Sequence, residues 1–135
     1  MRDRADAPSV CQTDPGLEVI KIKSGDTSLL AEVAGEAAAK QRGLSGRDCL
    51  GESRGMLFPY ETAGTFCYWM KDMGFAIDMI WLDKDKKIVT VKADARPESY
   101  PEETYCPDEP ANYVLEVAAG TAAALGWGKG TQFSF

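Results

Sequence analysis

GMLFPYETAGTFCYWMKDMGFAIDMIWLD, residues 55–83, decides how this chain is read. It gathers two Trp, three Phe, two Tyr and four Met around one Cys, one Lys and the embedded carboxylates Asp72 and Asp78. Aromatic and β-branched side chains at this density fit pleated, half-buried strands. Charges set among them must be paired or face water. The stretch therefore reports a β fold and names no reaction.

Working outward, LEVIKIK (17–23) and SLLAEVAG (28–35) read as two strands joined by a turn at SGD. GEAAAKQRG (35–43) is a short helix driven by its alanines. Glu36 lies at its positive end, Lys40 and Arg42 at its negative end, and Gly43 is placed to close it in the left-handed conformation. LSGRDCLGESR is a loop. GMLF starts a strand that PYETAG breaks, and TFCYWMK (65–71) is the next.

IDMIWLD (77–83) and KIVTVKA (87–93) flank a charged DKDK hairpin turn. Residues 96–112, with four prolines, form a long irregular connection that Cys106 is able to pin. YVLEVAAG is a strand, TAAALGWG a short helix ended by Gly126, and TQFSF a terminal strand. About eight consecutive, turn-linked strands and two short helices predict a mainly β, mostly antiparallel domain folded as a sandwich or barrel. Residues 1–16 read as a flexible N-terminal arm and residues 17–135 as a single domain.

At 135 residues the chain can bury a real core within one domain. Its net charge is −6, with acids concentrated between Asp94 and Glu116, which argues against nucleic acid or an anionic membrane surface as partner. No run approaches membrane-spanning length. Histidine is absent, so imidazole bases, Ser-His-Asp or Cys-His nucleophiles and His-ligated metals are excluded together. Chemistry must rest on carboxylates, Lys, Tyr or thiols.

Cys11, Cys49, Cys67 and Cys106 stand far apart and form no CxxC, unlike zinc ribbons and redox dithiols. Two disulfides and an oxidising compartment are expected, with three connectivities open. MRDRADAPSVC lacks the apolar segment of a signal peptide. With disulfides, the chain reads as the mature part of an exported protein, extracytoplasmic and monomeric. DKDKK lacks the glycine and terminal glutamate of a calcium loop, and GWGKG lacks the frame of a phosphate loop. No metal and no cofactor are expected.

RGLSGR, RGMLF, WMKDMGFAIDMIWLD and YVLEVAAGTAAALG, in this order, resemble the bacterial and archaeal family called Domain of Unknown Function 192. The similarity runs from Leu17 to Phe135. Typical members read RGLMFR, GMLF, FWMKNT, ID and VLE. This chain departs at Ser45-Gly46, at Asp72-Met73 and at Cys67. The resemblance implies a small jelly-roll-like β-sandwich and does not name an activity. It also implies a Cys67–Cys106 bridge, and with it Cys11–Cys49, because members with cysteines at the positions of Cys67 and Cys106 resemble exported proteins.

The polar residues within those motifs are Arg47, Arg54, Lys71, Asp72, Asp78 and Glu116. Asp78 lies between Ile77 and Met79 in an otherwise apolar strand and needs a partner, for which Lys71 and Arg47 are the natural candidates. Glu116 has the same character within YVLEV. Tyr68 and Trp69 are neighbours in a presumed strand and point to opposite faces, so one of them is available as a stacking platform beside Lys71.

The candidate ligand-binding cluster is thus Arg47, Arg54, Trp69, Lys71, Asp72, Asp78 and Glu116, set against the alternative that these residues only form structural ion pairs. The reading leans away from an enzyme, towards an exported binding or interaction module for a small molecule, glycan or peptide. One alternative is a carboxylate-dependent hydrolase of glycans or esters using Asp78 and Glu116. Another is a structural accessory domain of the cell envelope.

Overall fold

The computed structural model describes residues 11–135, so the expectation for the first ten residues of the arm lies outside the described residues. The fold is mainly β with two short α-helices. Strands β1 (Val19–Ser24) and β2 (Thr27–Val33) form an antiparallel hairpin whose turn carries Gly25 at φ +59°. Helix α1 (Ala37–Arg42) and a loop then cross over to β3 (Arg54–Gly64), which pairs parallel to β2. Strands β4 (Ile77–Leu82), β5 (Ile88–Ala95) and β6 (Ala111–Ala118) follow, and helix α2 (Thr121–Leu125) comes after β6.

One sheet contains all six strands in the order β1-β2-β3-β6-β4-β5 and does not close. The C-terminal segment spans its two outer edges at one end. Ser134 bridges to Lys23 of β1, and Gln132 to Lys87 beside β5. Both faces of the sheet are covered. β4 is buried along its whole length, and alternate side chains enter separate apolar layers. Met79 and Trp81 join Met56, Phe58, Leu44 and Met70 on one face. Ile80 and Leu82 join Leu57, Leu115, Trp127 and Phe133 on the other. Each fully buried large side chain contributes about 1.5–3 kcal/mol, so these layers supply the main drive to fold.

Four local expectations are corrected. The GMLF strand is not broken at PYETAG but runs to Gly64. Pro59 still pairs with Tyr113, and a bulge absorbs the irregularity before Gly64 meets Ala111. β2 ends opposite Leu57, so beyond that point the proline's missing N–H faces no strand on that side. Residues 65–71 are not a strand. Only Tyr68 pairs, with Tyr105, because Pro107 has no N–H to continue the ladder on one side and the Glu103 N–H is turned back to Ser99 O on the other. TQFSF contributes isolated bridges, which leaves six sheet strands instead of about eight. Gly43 takes a positive φ of 48° with ψ −132°, outside the left-handed helical region, while its N–H still closes α1 onto Ala39.

Two disulfides, Cys11–Cys49 and Cys67–Cys106, join the pairs that the family resemblance implied. The first ties residue 11 to the loop before β3. The second holds the irregular segment 65–71 against the proline-rich connection. Among the described residues, no helix is long and apolar enough to cross a membrane.

Candidate functional site

β4 and β6 run antiparallel with Asp78 opposite Val117 and Met79 opposite Glu116. Facing residues in a sheet share a face and successive ones alternate, so Asp78 and Glu116 lie on opposite sides of it. Asp78 is completely buried on the side covered by α2. Its carboxylate accepts backbone N–H groups from Asp94 at 2.9 Å, Ala122 at 2.9 Å and Gly120 at 3.3 Å. Neither Lys71 nor Arg47 serves it, contrary to expectation. Asp78 fixes the start of α2 and the end of β5.

Glu116 faces the other layer, beneath α1 and the loops at 43–47 and 66–73. It is 5 % exposed, and no hydrogen bond reaches its carboxyl among the described residues. Burial alone pushes its pKa up to about 8, so at neutral pH the carboxyl is mostly protonated. Above it the hydroxyls of Tyr60 and Tyr68 meet at 2.6 Å. Burial raises the pKa of both phenols, with the mutual hydrogen bond adding to the effect on Tyr68 and opposing it on Tyr60. The Phe58 and Tyr68 rings meet edge to face at 5.1 Å.

These groups form the inner wall of a pocket of about 650 Å³, within the ~300–1,000 Å³ range of small-molecule sites. Its rim carries Lys40, Arg42, Trp69, Lys71 and Asp72. Trp69 is 53 % exposed, braced edge-on by Tyr100 at 5.3 Å, with the Lys71 ammonium 5.7 Å from its ring. Lys40 Nζ stands 4.8 Å from the Tyr60 ring and donates to the Gly35 carbonyl. The two loops of the rim are fastened together: Ser45 Oγ donates to Lys71 O, and Gly46 N–H to Asp72 O. A side chain at Gly74 would place its Cβ 2.6 Å from the Arg47 carbonyl, so only glycine permits this approach. The pocket thus offers a protonated carboxyl and two hydroxyls inside, and an aromatic platform beside a cation outside.

The DUF192 family model (Uncharacterized ACR) matches residues 19–135. The chain belongs to this family. It is similar to a proposed transcription regulator from Sinorhizobium meliloti 1021, at 27 % identity and a TM-score of 0.83 over 90 % of this chain and 97 % of that one. It is also similar to a protein of unknown function from Novosphingobium aromaticivorans DSM 12444, at 28 % identity and a TM-score of 0.82 over 97 % and 94 %. No curated protein matches it.

In this DUF192 chain the seven residues singled out from the sequence divide. Glu116, Trp69, Lys71 and Asp72 meet at the pocket. Asp78 lies across the sheet. Arg54 borders a separate hollow of about 190 Å³ near α2. Arg47 is buried, and its guanidinium holds Glu32 through two hydrogen bonds of 2.8 and 3.0 Å. Burial pulls the Glu32 carboxyl upward, but the Arg47 hydrogen bond and the Asp14 N–H outweigh it, and its pKa lies below the usual glutamate range. This pair also grips the N-terminal segment, since Arg47 donates to Gln12 O and Asp14 N–H donates to Glu32.

Tyr60, Tyr68, Lys40 and Arg42 belong to the pocket without having been singled out. In the sequence Tyr68 stands beside Trp69 in an expected strand and Tyr60 in the PYETAG break, and neither position marks a pocket wall. The alternation Met56, Phe58, Tyr60 along β3 places these side chains on the face of Glu116, because Met56 pairs with Glu116. Among the described residues, no three Cys, Asp or Glu side chains are grouped to hold a metal ion.

Proposed function

We propose that this DUF192 chain is an extracytoplasmic binding module whose pocket takes a small hydroxylated ligand. The ring of that ligand rests on Trp69, and its polar edge faces Glu116, Tyr60 and Tyr68. The observation that carries the reading is Glu116: a buried carboxyl without a partner among the described residues, lining an open cavity. A purely structural carboxyl is normally satisfied, as Asp78 is. A bound hydroxyl or carbonyl would satisfy Glu116. The two disulfides support an oxidising compartment.

The hydrolase alternative loses its geometry, because Asp78 and Glu116 do not share a cleft. A regulator of transcription, the role proposed for the Sinorhizobium relative, gains no support from a chain of net charge −6. A structural accessory domain predicts no pocket.

Amide and methyl NMR spectra recorded with a panel of saccharides and short peptides test the proposal. Saturable shifts centred on Trp69, Lys71 and Glu116, and absent around Asp78, are expected. No saturable shift at the pocket with any member of the panel would overturn it. Alkylation of the protein taken from its native compartment should find no free thiol at the four cysteines, and labelling there would refute export.

A further inference from the structure

We infer that the pocket selects an acidic saccharide of the hexuronate class, its carboxylate held at the rim by Lys40 and Lys71 and its hydroxyls at Glu116, Tyr60 and Tyr68. This rests on the binding reading above and goes further by assigning the charge of the ligand. The first argument is electrostatic. The chain carries −6 overall, yet the rim concentrates Lys40, Arg42 and Lys71 against the single exposed carboxylate Asp72. Arg42 is already paired with Asp14 at 2.9 Å. Lys40 and Lys71 pair with no carboxylate among the described residues. A cationic mouth on an acidic protein steers anions inward and repels cations.

The second argument is geometric. Each of these lysines stands beside an aromatic ring, Lys40 at Tyr60 and Lys71 at Trp69. The Lys71 ammonium lies over the Trp69 ring, so a sugar stacked on the indole surface it leaves open would sit in the same pocket that Lys71 and Glu116 line. Lys40 keeps N–H donors beyond the one given to Gly35. A carboxylate on the sugar would receive charge-assisted bonds from both ammonium groups. A neutral sugar uses the platform and the inner groups but gains nothing from the lysines. A protonated Glu116 donates to a sugar oxygen without placing a negative charge beside the ligand, which suits an anion better than an ionised carboxylate would.

The test is calorimetric titration of the intact disulfide-bonded chain with glucuronate, galacturonate, glucose and glucosamine at pH 6.5, in low and high salt. Hexuronates should bind at least about tenfold more tightly than glucose, and salt should shrink that ratio. The Lys40→Met/Lys71→Met variant should lower hexuronate affinity at least about tenfold more than glucose affinity, so that the ratio between them falls to about one. Glu116→Leu, which removes both donor and acceptor, should weaken both sugars by a similar factor. Glucose equal to the hexuronates, glucosamine tighter than either, or no binding of a hexuronate overturns the inference. Pocket-centred NMR shifts from other compounds would then leave the binding reading standing, so the two failures are distinguishable.

Discussion

Asp78 and Glu116 are two buried carboxyls on adjacent strands, one register step apart, and the sheet gives them opposite lives. Asp78 is enclosed by backbone: three N–H groups from two other parts of the chain converge on it. Glu116 lines a cavity, meets no donor among the described residues and holds its proton to about pH 8. A carboxyl that terminates backbone N–H groups works for the fold. One that burial has made costly to ionise, at the wall of an open pocket, works for something outside the fold. The charged side chains on the Glu116 face divide in the same way, between fold and pocket. Arg47 and Glu32 are buried together and clamp residues 12–14, whereas Lys40 and Lys71 stand at the pocket mouth.

The sharpest way to break this contrast is Asp78→Ala. Three N–H groups would lose a charged acceptor, each bond worth about 1.5–3 kcal/mol, and the variant should lose about 5 kcal/mol or fail to fold. Denaturant unfolding measures it. A loss under about 1 kcal/mol would show that water replaces the carboxylate easily and that the two carboxyls differ less than their surroundings suggest. Next in size is Arg47→Met, which strands Glu32 inside and should lose about 3 kcal/mol. Adding Glu32→Leu should recover most of that. If the double variant is no better than the single one, the clamp on residues 12–14 matters more than the buried charge.

How far the sequence displayed these roles depends on which groups do the work. The strands IDMIWL and YVLEV were legible because apolar runs and turn signals mark them. The need of Asp78 for partners was legible too, from one carboxylate in an apolar strand. Its partners were not, because backbone N–H groups of residues 94, 120 and 122 carry no side-chain signature and only the fold brings them together. Glu32, in LLAEV, carries the same mark in the sequence, and it is the partner of Arg47. The segment 65–71 looked like a strand because aromatic residues favour strands, but propensity cannot supply the missing neighbour. The opposed pointing of Tyr68 and Trp69 nevertheless holds: Tyr68 packs towards Phe58 and Trp81, while Trp69 stays exposed.

A smaller effect separates the two carboxyls by pH. The folded pKa of Glu116 lies above the ordinary value of 4.5. Between about pH 4.5 and 8 the folded chain therefore keeps a proton that the unfolded chain releases, and stability falls as pH rises, by up to about 1.4 kcal/mol per unit. Glu32 and Asp14 act the other way and in another window. Their pKa values lie below the usual ones, so the stability they add is complete above their unfolded values and is lost in acid. Tyr60 and Tyr68, the groups facing Glu116, are raised and stay neutral throughout. Glu116→Gln should match the parent within about 1 kcal/mol at pH 4.5 and exceed it by about 2 kcal/mol near pH 6.5. Parallel stability curves for the two chains would mean that Glu116 is already ionised and compensated.

The smallest effect on stability belongs to Lys71→Met, and its smallness is the point. The ammonium is exposed and stands 5.7 Å from the Trp69 ring, a contact worth about 0.5–1 kcal/mol at most in water. The methionine stem keeps much of the packing against the indole. The melting temperature should move by no more than about 3 °C, given that ~1 kcal/mol shifts a domain of this size by a few degrees. Affinity for an anionic ligand should fall severalfold in the same protein. A side chain that contributes almost nothing to folding but alters binding belongs with Glu116. A large loss of melting temperature with binding unchanged would move Lys71 to the side of Asp78, and would leave the exposed Trp69 without the cation that the pocket sets beside it.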